Sequence, residues 1–167
     1  MALGLLILRL VVGLIVAAHG AQKLFGWFGG YGLQGTGGFL EKLGFFPGRR
    51  NALFAGLAEF GGGLLLALGL ATPLAAVLII SVMFVAVATV HIKNGLFITN
   101  QGYEYNLTLA TVALGVAIIG AGPISLDAAL GIHDAGPVWG LAALAIGLAG
   151  GALQLATRRS PQVQKAA

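Results

Sequence analysis

The chain has 167 residues, of which 58% are hydrophobic and 8% charged, and a mean hydropathy of +0.96. That length holds one domain, and a soluble domain carries roughly 25% charged residues. Nine basic and five acidic side chains cannot clothe a water-soluble surface, which excludes a soluble enzyme. The absence of cysteine excludes disulfides, thiolate metal sites, iron–sulfur clusters and a cysteine redox relay. Basic residues scattered between apolar runs make no phosphate-tracking stripe, so nucleic acid is not a partner.

Five apolar stretches approach the ~20 residues that a helix needs to cross a bilayer. The first covers about Ala2 to His19 and is interrupted by Arg9. It lacks a basic n-region and is longer than a signal-peptide core, so it reads as a retained helix. The loop of residues 22–50 mixes Trp, Tyr, Phe, Lys and Gly, a composition suited to the headgroup layer. Within it, Thr36–Leu43 reads as a short interfacial helix whose apolar residues face lipid or the bundle. Its glycines lack the Walker pattern and a preceding strand, which argues against a phosphate cradle.

The second stretch, Ala52–Ala71, is interrupted by Glu59, and the third covers Pro73–His91. Thr72–Pro73 reads as an N-cap followed by proline at the first helical position. Asn94–Gly95 reads as the close of the third helix and Gly122–Pro123 as the close of the fourth. The fourth, Leu107–Ala121, is short and gains a turn from Glu104, Tyr105 and Asn106. The fifth is Val138–Ala156. Gly136/Gly140 and Gly147/Gly151 have the small-xxx-small spacing of closely packed membrane helices, with homodimerisation through the fifth span as the other use of that spacing.

This is an all-α, integral membrane helical bundle. Residues 1–127 form a four-helix core with spans at about 2–19, 52–71, 73–91 and 105–121. Residues 128–157 add an outer loop and a fifth transmembrane helix at about 138–156, and 158–167 form a basic, mobile tail. With five spans, Lys23, Lys42, Arg49, Arg50, Lys93, Arg158, Arg159 and Lys165 share one face. The positive-inside rule then puts the N-terminus outside and the C-terminus in the cytoplasm of a cell (inner) membrane.

An ionisable group in hydrocarbon costs at least roughly 2.5–3.5 kcal/mol and needs a partner or a purpose. Arg9 lies about ten residues, ~15 Å, from the inner end of span one, and Glu59 about eight residues, ~12 Å, from the inner end of span two. The matching depths predict an Arg9–Glu59 ion pair facing the bundle interior, either as architecture or as part of a site. His19 ends span one, with Gln22 and Lys23 on its face if the helix continues, and His91 ends span three on the same side. Glu104, Tyr105 and Asn106 open span four there.

Polar groups from four helices thus converge on the inner half of the bundle. An apolar cavity with such an end suits a quinone, whose two carbonyl oxygens would accept hydrogen bonds from Arg9, His19 or His91. Glu59 or a histidine would relay the protons of reduction. No motif supports haem, copper, flavin or iron–sulfur ligation. Asp127, His133 and Asp134 on the outer loop read as solvated charge rather than a metal cluster. Ser81 and Ser125 lack the histidine and carboxylate companions of a nucleophile.

Several spaced motifs resemble the DoxX family of small membrane proteins. They are Arg9-x-x-x-Gly13, His19-Gly20-x-Gln22-Lys23-Leu24-Phe25-Gly26, Gly29–Gly30, Phe39 to Pro47, Glu59-x-Gly61-Gly62, Leu68-Gly69-Leu70-x-Thr72, Met83, and His91 with Gly95. The resemblance extends over residues 4–127, ending at Ser125–Leu126–Asp127. It implies a four-helix membrane bundle related to quinone-linked oxidoreductase subunits, to membrane oxidoreductase complexes of oxidative-stress defence and to proteins of quinone resistance. It also implies functional positions at Arg9, His19, Gln22, Lys23, Glu59 and His91. The fifth span departs from the family pattern and is available to shield the bundle, form a dimer face or dock a partner.

The function expected is a quinone-interacting oxidoreductase subunit. Its catalytic groups would be Glu59, His19 and His91, and its ubiquinone or menaquinone would be held by Arg9, His19, Gln22, Lys23, Glu59, His91, Tyr105 and Asn106. Electrons would come from a protein partner or reductant. The alternatives are a non-enzymatic assembly or binding protein of a redox complex and a small transporter. Five spans leave little room for the two-repeat path of a transporter.

Overall fold

The computed structural model describes residues 1–159, and among these the secondary structure is helical without strands. The helices are α1 (Ala2–Phe25), α2 (Gly32–Lys42), α3 (Gly48–Leu68), α4 (Thr72–Ala86), α5 (Glu104–Ile119), α6 (Leu126–Leu130) and α7 (Pro137–Ala156). α4 runs on through a π-helical turn, Val87–His91, and a 3₁₀ turn, Ile92–Asn94, to Gly95 at φ 76°. Four segments are long and apolar enough to cross a membrane: Ala2–Phe25, Gly48–Leu68, Thr72–Asn94 and Pro137–Ala156. α5 is shorter, and its ~24 Å falls below the ~30 Å of a hydrocarbon core. The segment leading into α5 satisfies its own backbone, with Tyr103 and Glu104 N–H donating to the carbonyls of Gly95 and Leu96. That self-sufficiency is what irregular backbone near lipid requires.

α1 and α3 pack antiparallel at backbone contact, because glycines face each other twice along the seam. A methyl on Gly13 would lie 2.6 Å from the carbonyl oxygen of Gly63, and one on Gly20 would lie 2.7 Å from that of Gly56. Both pairs are seven residues apart in both helices, so this spacing fixes the register. α4 packs between α3 and α5, and α7 lies across α4 and α5. Val16, Leu66, Ile79, Met83, Leu109 and Val116 fill the core between these helices.

α2 closes one end of the bundle. Gly37 lets it approach the start of α3 closely, and the Glu41 carboxylate accepts from the Gly48 N–H (2.9 Å), tying α2 to the N-terminus of α3. The helix begins at Gly32, a turn earlier than the expected Thr36. The end of α7 docks on the same region: Gln154 donates to Asn51 Oδ1 (2.8 Å), and Arg158 Nε to the Leu43 carbonyl (2.9 Å). Arg159 N–H donates to the Gly44 carbonyl at 2.8 Å. The tail expected to be mobile after Arg158 is docked at its first residue, Arg159, and Lys165 lies outside the described residues. The other seven residues of the expected basic face gather at this same end.

The opposite end departs from the sequence reading in three ways. The cap of α4 is not the Thr72 hydroxyl but Asp127 of α6, whose carboxylate accepts from the N–H groups of Ala71 (2.8 Å) and Thr72 (3.4 Å). Asp127 is accordingly 3% exposed rather than solvated loop charge, and among the described residues no His/Asp/Glu group could hold a metal. α5 closes at Gly120 instead of Gly122–Pro123. The glycines of α7 are engaged within the chain. Gly147 rests on Ile80 and Val77, Gly151 on Phe84 and Ser81, and Gly140 on Ile118, the close packing that the small-xxx-small spacing predicts.

Candidate functional site

The inner faces of α1, α3, α4 and α5 diverge beneath α2 to leave a cavity of about 400 Å³. That volume is within the range of small-molecule sites, about 300–1,000 Å³. Its polar wall comprises His19 and Lys23 from α1, Glu59 from α3, His91 from the π-turn, and Tyr105 and Asn106 from α5. The rest is mostly hydrocarbon: Phe39, Leu40 and Leu43 from α2 and its end, and Val82, Met83 and Val85 from α4.

Each polar group is placed by a local cause. α1 continues six residues past His19 to Phe25, so His19 and Lys23 stack at i and i+4 on one face. The Lys23 ammonium forms an ion pair with Glu59 across the α1–α3 seam, and its Nζ lies 3.5 Å from the His19 carbonyl. His19 Nε2 is 3.1 Å from the Tyr105 hydroxyl, and the two rings meet edge to face. The π-turn carries one extra residue per turn relative to an α-helix, a feature frequent at functional sites, and it presents His91 to the cavity. His91 Nδ1 is 2.7 Å from the Gln101 carbonyl. A carbonyl only accepts, so Nδ1 carries the proton and the Nε2 of a neutral ring is an acceptor. Asn106 donates to the Met83 sulfur at 3.4 Å.

Two of the expected site residues are elsewhere. Gln22 faces a neighbouring surface groove of about 650 Å³ under α2, and its amide donates to the Phe28 carbonyl. Arg9 is at the far end of the bundle. Its guanidinium is buried (1% exposed), donates to the Ile124 carbonyl at 2.6 Å, and lies against Gly69. The expected Arg9–Glu59 pair is therefore absent and Glu59 pairs with Lys23. The depth count failed because it began at hydropathy boundaries. The glycine register, with Gly13 facing Gly63 and Gly20 facing Gly56, separates Arg9 from Glu59 by about two turns, ~11 Å. Among the described residues, Arg9 Nε and Nη1 and the Thr72 hydroxyl have no hydrogen-bond partner.

The sequence left the apolar side of α2 facing either lipid or the bundle. Thr36, Phe39 and Leu40 line the cavity from a segment read as interfacial. Of the glycines of α2, Gly37 alone backs onto α3, and the composition of the helix did not show which side would face the cavity.

The arrangement joins a hydrogen-bonding end, formed by two histidines, a tyrosine, an asparagine and an ion pair, to an apolar chamber. It can hold an amphipathic ring and deliver or remove protons there. The DoxX family model matches residues 4–92, which hold His19, Lys23, Glu59 and His91. A Bacillus subtilis (strain 168) protein named "Putative oxidoreductase CatD" is 32% identical over 125 residues, covering 75% of this chain and 85% of that protein. No solved structure matches the chain. Since the family model covers more than half of the chain, this membrane protein belongs to the DoxX family.

Proposed function

We propose that the chain is a quinone-interacting subunit of a membrane oxidoreductase, binding the quinone or quinol head in the cavity beneath α2. The observation that carries this reading is the meeting of the Lys23–Glu59 and His19–Tyr105 pairs with His91 around one chamber whose remaining walls are mostly apolar. The name of the Bacillus relative points to the same class of chemistry.

The head of a quinone such as ubiquinone or menaquinone supplies a two-electron, two-proton couple. The Lys23 ammonium and the Tyr105 hydroxyl donate to its carbonyl oxygens, and His91 Nε2 takes or returns a proton. His19 lies behind Tyr105 and re-protonates it, while Glu59 holds Lys23 in place. Electrons arrive from a partner protein or an external reductant. The end carrying Lys23, Lys42, Arg49, Arg50, Lys93, Arg158 and Arg159 faces the cytoplasm by the positive-inside rule, so proton exchange is with that compartment.

Solvent extraction of the purified protein, followed by mass spectrometry, tests the reading. Near-stoichiometric quinone is expected in wild type and in an Asp134→Asn control at the other end. It should be lost in folded His19→Ala and His91→Ala variants. Trace quinone, equal in all four, would overturn the reading and leave an assembly or binding role for the same fold.

A further inference from the structure

Three neighbouring spaces share wall residues with the cavity, and they differ in chemistry. The groove under α2 is rimmed by Gln22, Lys23 and Lys42. A chamber of about 180 Å³ between α3, α4 and α7 carries Asn51, Ser81 and Gln154. The third is a groove of about 320 Å³ between α4, α5 and α7, walled by Ile80, Phe84, Ala110, Leu114, Leu144 and Leu148. This groove is almost wholly hydrocarbon. It meets the cavity at Met83 and Asn106, which line both spaces and close the passage through one Nδ2–H···S contact of 3.4 Å.

That partition is weak. A thioether is a poor acceptor, and an unbranched methionine changes rotamer readily. From Asn106 to Leu114 the groove follows α5 for eight residues, ~12 Å along the axis, away from the polar end and towards the middle of the bundle. A membrane-soluble ring carries its hydrocarbon tail into surroundings of this kind, whereas the groove under α2 is rimmed by lysines and the smaller chamber sets Asn51, Ser81 and Gln154 among its apolar residues.

We propose that the α4–α5–α7 groove takes the hydrocarbon tail of the lipid whose head occupies the cavity, the tail passing between Met83 and Asn106. This inference rests on the head-group reading above and identifies the ligand as a long-tailed quinone rather than a soluble one. It also gives α7 a function, because Leu144 and Leu148 form the outer wall of the groove.

The test is photolabelling of the full chain in lipid nanodiscs with a decyl benzoquinone bearing a diazirine at the tail end. Labelled peptides are mapped with and without excess unlabelled decyl quinone. Labelling that is competed away by the unlabelled quinone is expected on residues 107–114 and 144–148, and it should be lost in Ala110→Trp, which fills the groove. Should Ala110→Trp not fold, Thr111→Trp at the rim does the same from an exposed position. Competed labelling on residues 29–43 or 51–58 instead would overturn the tail route while leaving the head site standing. An absence of competed labelling anywhere in the chain would sink the head site and the tail route together.

Discussion

Lys23 and Glu59 meet across the α1–α3 seam with unequal exposure: the carboxylate side chain is 4% exposed, the lysine 27%. Removing either partner therefore has different consequences. Lys23→Met leaves a carboxylate buried without its counter-charge, whereas Glu59→Gln leaves an ammonium that can swing its head to water. Breaking a buried pair costs about 3–5 kcal/mol when the remaining charge stays buried. Lys23→Met is expected near that range and Glu59→Gln at about 1.5–3 kcal/mol, the cost of a lost charged hydrogen bond. Denaturant titrations in mixed micelles give the order, and the double variant should recover part of the loss. Equal losses would show that Lys23 is as confined as Glu59.

Tyr105→Phe separates the hydroxyl from the ring. The edge-to-face contact with His19 survives, and the donor to the quinone oxygen does not. One neutral hydrogen bond is worth about 0.5–1.5 kcal/mol, so quinone affinity is expected to fall about 2- to 10-fold. Stability should change little. Titration with a tail-less benzoquinone reads the affinity, and a thermal melt reads the fold. Unchanged affinity would remove Tyr105 from the head site.

Asp127→Ala tests the far end of the bundle. It deletes the acceptor for the Ala71 and Thr72 N–H groups, and loss of a helix cap costs about 0.5–2 kcal/mol. Quinone content per folded molecule should stay at the wild-type level, because α6 and the cavity are at opposite ends. A fall in content without a fall in stability would mean that the two ends are coupled.

Gly13→Val addresses the register itself. Even a single methyl there would lie 2.6 Å from the Gly63 carbonyl and the Ala67 nitrogen, both backbone atoms that cannot turn aside. Overpacking costs typically 1–3 kcal/mol, and here the helices must also separate or slide. The expected result is a lower melting temperature together with loss of quinone, since sliding α1 on α3 moves Lys23 away from Glu59. Gly4→Val, on the same helix but in open space, should do neither.

Much of this architecture was legible from hydropathy, because lipid leaves few alternatives to a helix. The five apolar runs correspond to α1, α3, α4, α5 and α7, and the basic residues of the connections collect at one end. Depth was harder to read. His19 has the look of a span's end because Gln22 and Lys23 come next, yet a helix continues past a hydropathy boundary when its next turn packs on a neighbour. The Lys23–Glu59 pair forms in those extra turns.

The seven-residue spacing of Gly13 and Gly20, matched by Gly56 and Gly63, held the register in plain sight. Pairing them would have placed Arg9 opposite Ala67, eight residues from Glu59. Asp127 was not legible as a cap, since its partners at residues 71 and 72 are 56 and 55 positions away and become neighbours only once the bundle closes. His91 is recognisable as a member of the site from its position alone. The π-turn that aims it has no signature among Val87, Ala88, Thr89 and Val90.

That turn has a consequence for how the site can vary. A π-turn absorbs one residue more than an α-turn, so the same sequence wound as an unbroken α-helix would rotate its downstream side chains by up to about 100°. Rewinding residues 87–91 as regular α-helix would carry His91 to another face, while leaving the apolar body of α4 in place. Presentation of an imidazole to the cavity is thus a matter of winding in this helix, with no change of residue type. Two chains with this bundle and the same residue types could differ in chemistry through helical phase alone.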